Sequence, residues 1–127
     1  MARLFMFLGA LFGGLSVAAG AFASHALKAQ LSERSQQTFE TGTRYQMYHA
    51  LALMMVALLW SRTEGSSLLT AAGVAFIVGI VLFSGSLYGL SLSDIKGFGP
   101  ITPLGGVAFL VGWGCLAIAA LKSTPIH

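Results

Sequence analysis

Four apolar stretches, at about 4–26, 45–61, 67–90 and 101–121, divide this chain of 127 residues, and charged residues fall between them rather than inside them. Each stretch is near the roughly 20 residues that carry a helix across a ~30 Å hydrocarbon core. Four segments cannot close a barrel, and in lipid a helix is then the only way to satisfy the backbone. Only 9% of residues are charged and 56% are hydrophobic, whereas soluble domains carry roughly 25% charge. Such a chain cannot cover itself with a wetted surface. The pattern predicts an all-α integral membrane bundle of four transmembrane helices in a single domain, 1–127, with the lipid bilayer as its first partner. The net charge of +3, from seven basic and four acidic residues, forms no basic patch of the kind a nucleic acid needs.

The first stretch has a competing outline. Arg3, an apolar run and Ala21-Phe22-Ala23 resemble a secretory signal with its cleavage site, but the run exceeds the usual ~7–15 residue signal core. A retained span is the expectation. Between the first and second stretches, residues 28–42 (KAQLSERSQQTFETG) are strongly polar. Ser32 with Glu33, or Thr38 with Thr41, can start a helix there, and Leu27, Leu31 and Phe39 give it a thin apolar edge. The expectation is a short interfacial helix or a solvated loop. Residues 62–66 (RTEGS) read as a tight turn with Gly65 as the helix stop. Residues 91–100 (SLSDIKGFGP) form the third connection, where glycines and proline prevent helix continuation. Thr102-Pro103 then suits an N-cap followed by proline at the first helical position.

Sixteen glycines sit mostly inside the apolar stretches. In membranes, small residues let helix backbones approach, because packing holds helices together where hydrophobicity cannot. Four-residue spacing places Gly9/Gly13, Ala10/Gly14/Ala18 and Ser16/Gly20/Ser24 in rows on the first span. Gly85/Gly89 and Ala108/Gly112 do so on the third and fourth. These rows serve the packing of a tight bundle or, alternatively, a homo-oligomer. The halves of the chain share no repeat in loop length or motif, unlike an inverted-repeat transporter. Cys115 is the single cysteine, so no intrachain disulfide forms; in its apolar run it reads as a small hydrophobe.

The polar residues inside the spans are unevenly distributed. At ~1.5 Å per residue, Arg62 to His49 covers roughly 20 Å, which leaves His49 about 10 Å below the opposite surface of a ~30 Å core. Arg3 to His25 covers about 33 Å by the same rise, so His25 reaches that surface. With antiparallel spans, Ser24, His25, Tyr45, Gln46, His49, Ser84, Ser86, Tyr88 and Thr102 all belong to one leaflet. The other half of every span is nearly pure Leu, Ala, Val, Phe, Ile, Met and Gly. Tyrosine is at home at the membrane–water interface. Ser, Thr, Gln and His hydrogen-bond between helices, so a structural network explains the set. The competing reading begins from ionisable groups inside a membrane being candidate sites: His25 and His49 ligating a metal or haem, or relaying a proton. No carboxylate or thiolate joins them at a recognisable spacing, so the residues call for no cofactor. Phosphate loops, paired intramembrane carboxylates and an HExxH helix are absent from the sequence, and an enzyme is not expected.

Four motifs in order, GAFASHAL (20–27), TGTRYQMYHAL (41–51), LFSGSLY (82–88) and TPLGGVAF (102–109), resemble the bacterial membrane family called "domain of unknown function 423", similar to eukaryotic transmembrane protein 256. The resemblance covers nearly the whole chain. It implies four transmembrane helices and no established activity, and its matching positions include His25, Tyr45, Gln46, His49, Ser84, Tyr88, Thr102 and Pro103. Family members often have glycine then alanine where this chain has Ala23 and Ser24. Basic residues are nearly balanced, with Arg3, Arg62 and Lys122 on one side and Lys28, Arg34, Arg44 and Lys96 on the other. The resemblance tips this toward both termini in the cytoplasm of a bacterial inner membrane and the polar face outward. The function expected is that of a structural or accessory membrane component, alone, as a homo-oligomer or within a larger assembly.

Overall fold

The protein, a computed structural model describing residues 1–63, 65–93 and 95–122, is all-helical over those residues. Helix α1 spans Ala2–Phe22 and ends in a π-helical turn, Ala23–Leu27. Helix α2 spans Glu33–Ser61. Helices α3 (Ser67–Gly79) and α4 (Gly85–Ser93) are joined through a π-helical turn, Ile80–Ser84, and α5 spans Ile101–Lys122 after a short 3₁₀ turn at Lys96–Phe98. Three helical stretches, Ala2–Leu27, Ser67–Ser93 and Lys96–Lys122, are long and apolar enough to cross a membrane.

Helix α2 differs because its first turns carry Glu33, Arg34, Glu40 and Arg44. The polar stretch before the second apolar run is therefore neither a separate interfacial helix nor a loop. After a turn at residues 28–32, it forms from Glu33 the opening turns of one continuous 29-residue helix. Ser32 caps that helix, its Oγ accepting from the Ser35 amide at 3.1 Å. Glu33, Arg34, Gln36, Gln37 and Glu40 are good helix formers, and Arg44 donates to Glu40 at 2.7 Å one turn away. At the far end, Arg62 closes α2, Gly65 takes φ 77°, and Ser66 caps α3. Gly65 is not the helix stop expected of it: α2 ends at Ser61 with Arg62 as its cap, and Gly65 takes its positive φ beyond that cap, just before Ser66; Glu64 lies outside the described residues, as do Asp94 and residues 123–127. Thr102 does not cap α5. The helix begins one residue earlier, and Thr102 lies in its first turn.

Contacts between neighbours run in opposite directions along the chain. On α1 and α2, Ser16 meets Thr43, Phe12 meets Gln46, and Gly9 faces Ala50 and Met54. Gly79 and Gly105 likewise face Phe109 and Phe83 across the α3–α5 pair. Helix α2 lies between α1 and the α3–α4 rod, and α5 packs on that rod. A core of Phe5, Leu53, Val56, Leu69, Ala72, Phe76, Ile80, Phe109 and Leu116, among others, fills one half. Outward, α1 exposes Leu4, Phe7, Leu11 and Leu15, and α5 exposes Leu104, Val107, Leu110 and Leu121. Such an apolar belt suits lipid rather than water.

Glycine has two uses inside the bundle. At Gly105 a Cβ would stand 2.3 Å from the backbone nitrogen of Phe83, so α5 reaches the rod only because no side chain is there. At Gly73 a Cβ would stand 2.4 Å from the Phe5 ring: the glycine is a socket for an aromatic side chain of another helix. Of the rows read in the sequence, Gly9 faces α2 closely, whereas Gly14, Gly20 and Gly85 have open space where a Cβ would point.

Candidate functional site

Most of the buried polar side chains lie toward one end of the bundle and join two helices, whereas Thr43 and Ser91 bond carbonyls of their own helices. Gln46, 5% exposed, donates from Nε2 to the Phe12 carbonyl of α1 at 2.8 Å. Its Oε1 accepts from the Tyr88 hydroxyl of α4 at 2.6 Å. One side chain thereby ties α1, α2 and α4. Ser16 donates to the Thr43 carbonyl at 2.6 Å, and Ser84, 1% exposed, donates to the Gly42 carbonyl at 2.8 Å. Ser84 ends the π-helical turn, and π-helical turns inside α-helices are frequent at functional positions. Ser86 and Thr102 share a 2.6 Å bond between α4 and α5. Gly42 also leaves room for the Tyr88 ring, since a Cβ there would stand 2.8 Å from it.

His49, 4% exposed, is held in an aromatic box. Its ring stacks on Phe109 with centroids 3.5 Å apart and planes 6° from parallel, with Phe76 at 5.7 Å and Trp113 at 5.8 Å. The Trp113 indole N–H reaches His49 Nε2 at 3.1 Å, and His49 Nδ1 lies 2.7 Å from the Tyr45 carbonyl. An indole nitrogen can only donate, so Nε2 must offer its lone pair. Nδ1 must then carry the proton and give it to the carbonyl. These partners define one neutral tautomer and engage both ring nitrogens.

That arrangement does not support the pairing of His25 with His49 in a metal, haem or proton-relay site. His25 is exposed in the π-helical turn at the end of α1, and among the described residues no hydrogen bond or ring contact joins it to His49. No group of three His, Cys, Asp or Glu side chains suited to a metal occurs among the described residues. Ser24 is likewise exposed, beside a cleft of about 500 Å³ with Lys28, Gln36 and Glu40. Tyr45, 39% exposed, enters through its backbone carbonyl and through ring contacts with Tyr48, His49 and Phe83. Thus Gln46, His49, Ser84, Ser86, Tyr88 and Thr102 form cross-helix bonds, Tyr45 lends a carbonyl, and Ser24 and His25 stand apart from those bonds.

Two contributors escaped the sequence reading. Ser16 was legible only as a small residue, and its hydroxyl would have been the signal. Trp113 lies mid-helix in α5, where an indole N–H in hydrocarbon has to find an acceptor. That requirement, set beside a histidine at depth on another helix, would have nominated the pair.

Fold and site together define a helical membrane protein whose polar side chains are paired across helices in one half. The family model described as "Protein of unknown function (DUF423)" matches residues 19–106, and the chain belongs to that family. It is 46% identical over 120 residues to the UPF0382 membrane protein YwdK of Bacillus subtilis (strain 168), covering 94% of this chain and 98% of that protein. The UPF0382 membrane protein SERP0230 of Staphylococcus epidermidis (strain ATCC 35984) is 44% identical over 94% of this chain and 97% of its own length. The UPF0382 membrane protein SH2409 of Staphylococcus haemolyticus (strain JCSC1435) is 42% identical over the same shares. No solved structure matches the chain. The resemblance in the four motifs therefore identified the family correctly, and the chain is a membrane protein of a family without an assigned function.

Proposed function

We propose that this protein is a single four-span bundle of the bacterial inner membrane, with both termini in the cytoplasm, serving as a structural or accessory component rather than as an enzyme. The observation that carries the structural role is the closure of the polar set upon itself. Both nitrogens of His49 and both amide groups of Gln46 have partners within the bundle. No described buried side-chain nitrogen or oxygen lacks a hydrogen bond. A binding or relay site needs a group held ready for something else.

The fourth span is part of the same proposal, and the exposed face of α2 supports it. Tyr48, Leu51, Met55 and Leu58 are 51%, 53%, 54% and 58% exposed at helical spacing, with exposed Arg44 and Arg62 beyond either end. Those arginines are about 27 Å apart at ~1.5 Å per residue, close to the ~30 Å of hydrocarbon. The antiparallel contacts also set α2 alongside two helices that are themselves apolar enough to cross.

Two measurements test the proposal. In a Cys115→Ala background, single cysteines introduced at Gln30 and Thr63 should differ in labelling by an impermeant maleimide on intact cells, with Gln30→Cys labelled and Thr63→Cys protected. Equal labelling would mean that α2 does not cross. Protein purified from its native membrane should carry no stoichiometric metal and no haem absorbance. A bound group that disappears in His49→Leu would overturn the structural reading.

A further inference from the structure

We infer that the cleft between the start of α2 and the α4–α5 connection binds the phosphate of an anionic glycerophospholipid. It encloses about 400 Å³, and Arg34 and Lys96 line it from two different elements, together with Ser32, Ser35 and Leu90. Among the described residues no acidic side chain lines it. Among the described residues neither cation has an ion-pair partner, the one ion pair being Arg44–Glu40; Asp94, near in sequence, lies outside those residues.

The hydroxyls favour an acceptor-rich ligand. Ser32 Oγ accepts from the Ser35 amide, which leaves its own hydrogen to donate, and the Ser35 hydroxyl makes no described bond. A guanidinium, an ammonium and two hydroxyls are all donors, and a phosphate diester presents only acceptors to them. Charge-assisted bonds of this kind are about twice as strong as neutral ones. The second polar cleft, beside Ser24, lacks this character. There the acidic Glu40 lines the cleft along with Lys28, and the Gln36 amide already donates to the Lys28 and Leu31 carbonyls.

A lipid fits better than a free phosphate because of the cleft's position. Its wall of Leu90, Ser91 and Lys96 lies where the Ser67–Ser93 stretch ends and the Lys96–Lys122 stretch begins, at headgroup height in the spanning arrangement proposed above, on which this inference rests. Leu90 forms part of its wall, and Leu92 and Ile95 are 53% and 56% exposed close by in sequence. Apolar side chains there meet the glycerol and upper acyl region of a lipid and give a soluble ion nothing. Basic pockets between transmembrane helices hold anionic headgroups on the cytoplasmic side of membranes; the orientation proposed above puts this one on the outer face, against the outer leaflet.

Native mass spectrometry of the full chain in detergent, titrated with phosphatidylglycerol, tests this. Phosphatidylglycerol should bind in preference to phosphatidylcholine. Arg34→Gln/Lys96→Gln should weaken it by about tenfold, a loss of ~1.4 kcal/mol. Each single variant should weaken it less, and Arg3→Gln/Arg62→Gln on the opposite side should leave it unchanged. Both cleft cations are exposed and neither has a described ion pair, so the single variants keep the question open should the double variant fail to fold. Equal binding of the two lipids, or unchanged binding in the cleft variants, overturns the inference. Binding of inorganic phosphate that depends on Arg34 and Lys96, without binding of phosphatidylglycerol, overturns the lipid as its source. The maleimide result for α2 is read independently, so a failure of the span proposal is distinguishable from a failure here.

Discussion

The two ends of this bundle are held by different forces. Toward Arg62, the contact between helices is made by rings and small side chains: Phe5 in the socket of Gly73, Phe76 against Gly112, and Leu53 and Val56 wholly buried. Toward Thr102, it is made by hydrogen bonds from Gln46, Ser84, Tyr88 and Ser86. Lipid tails are as apolar as leucine, so neither end gains from the hydrophobic effect as a soluble core does. The packed end depends on shape, where dispersion is lost as soon as surfaces separate. The bonded end depends on direction, and each bond between membrane helices averages about 0.6 kcal/mol with a maximum near 1.7. Packing should therefore tolerate substitution worse than bonding does.

The largest effect should come from filling a socket. Gly73→Leu places a side chain where the Phe5 ring sits, and Phe5 is only 1% exposed. Overpacking of this kind costs about 1–3 kcal/mol, and we expect the upper end of that range in thermal unfolding in detergent. Phe5→Ala/Gly73→Leu should recover part of the loss by returning the space. A double variant no more stable than Gly73→Leu alone would show that the socket is not what the glycine provides. Next comes Gln46→Leu, which removes two interhelical bonds and takes the acceptor from the Tyr88 hydroxyl, while the Phe12 carbonyl keeps its bond within α1. About 2 kcal/mol is expected. A loss equal to that of Gly73→Leu would remove the distinction between the two ends.

The same contrast explains what could be read in the sequence. Hydrogen-bonding groups are visible as letters, and depth along a span follows from counting, so Gln46, His49, Ser84, Ser86, Tyr88 and Thr102 could be nominated, and each bonds across helices. Shape is not visible in that way. A glycine reads as a site of close approach without saying which ring enters it, and Gly14 and Gly73 look alike although one faces open space and the other Phe5. The break expected before the second apolar stretch failed for a different reason. A membrane helix need not stop at the membrane surface, and the good helix formers from Glu33 to Arg44 carry α2 onward into the polar region. His25 was placed at the surface by counting, but counting along the chain says nothing of which way a side chain faces.

A smaller effect should follow at the boundary between the two ends, where His49 belongs to both. Its ring stacks in the packed core while its nitrogens are hydrogen-bonded. His49→Leu should lower stability by about 1–2 kcal/mol, the scale of interhelical bonds in membranes, and Trp113→Phe should cost about as much by removing the same bond. If the bond is the main term, the double variant loses little more than either single one. The coupling from the cycle should then approach 1 kcal/mol. Full additivity would assign His49 to the packed end alone. Ser86→Ala should cost least, about 0.6 kcal/mol, since Thr102 Oγ1 keeps a second acceptor in the Phe98 carbonyl at 3.4 Å. A larger loss would mean that the Ser86–Thr102 bond positions the start of α5, because the residues that follow it hold Gly105 against the Phe83 backbone.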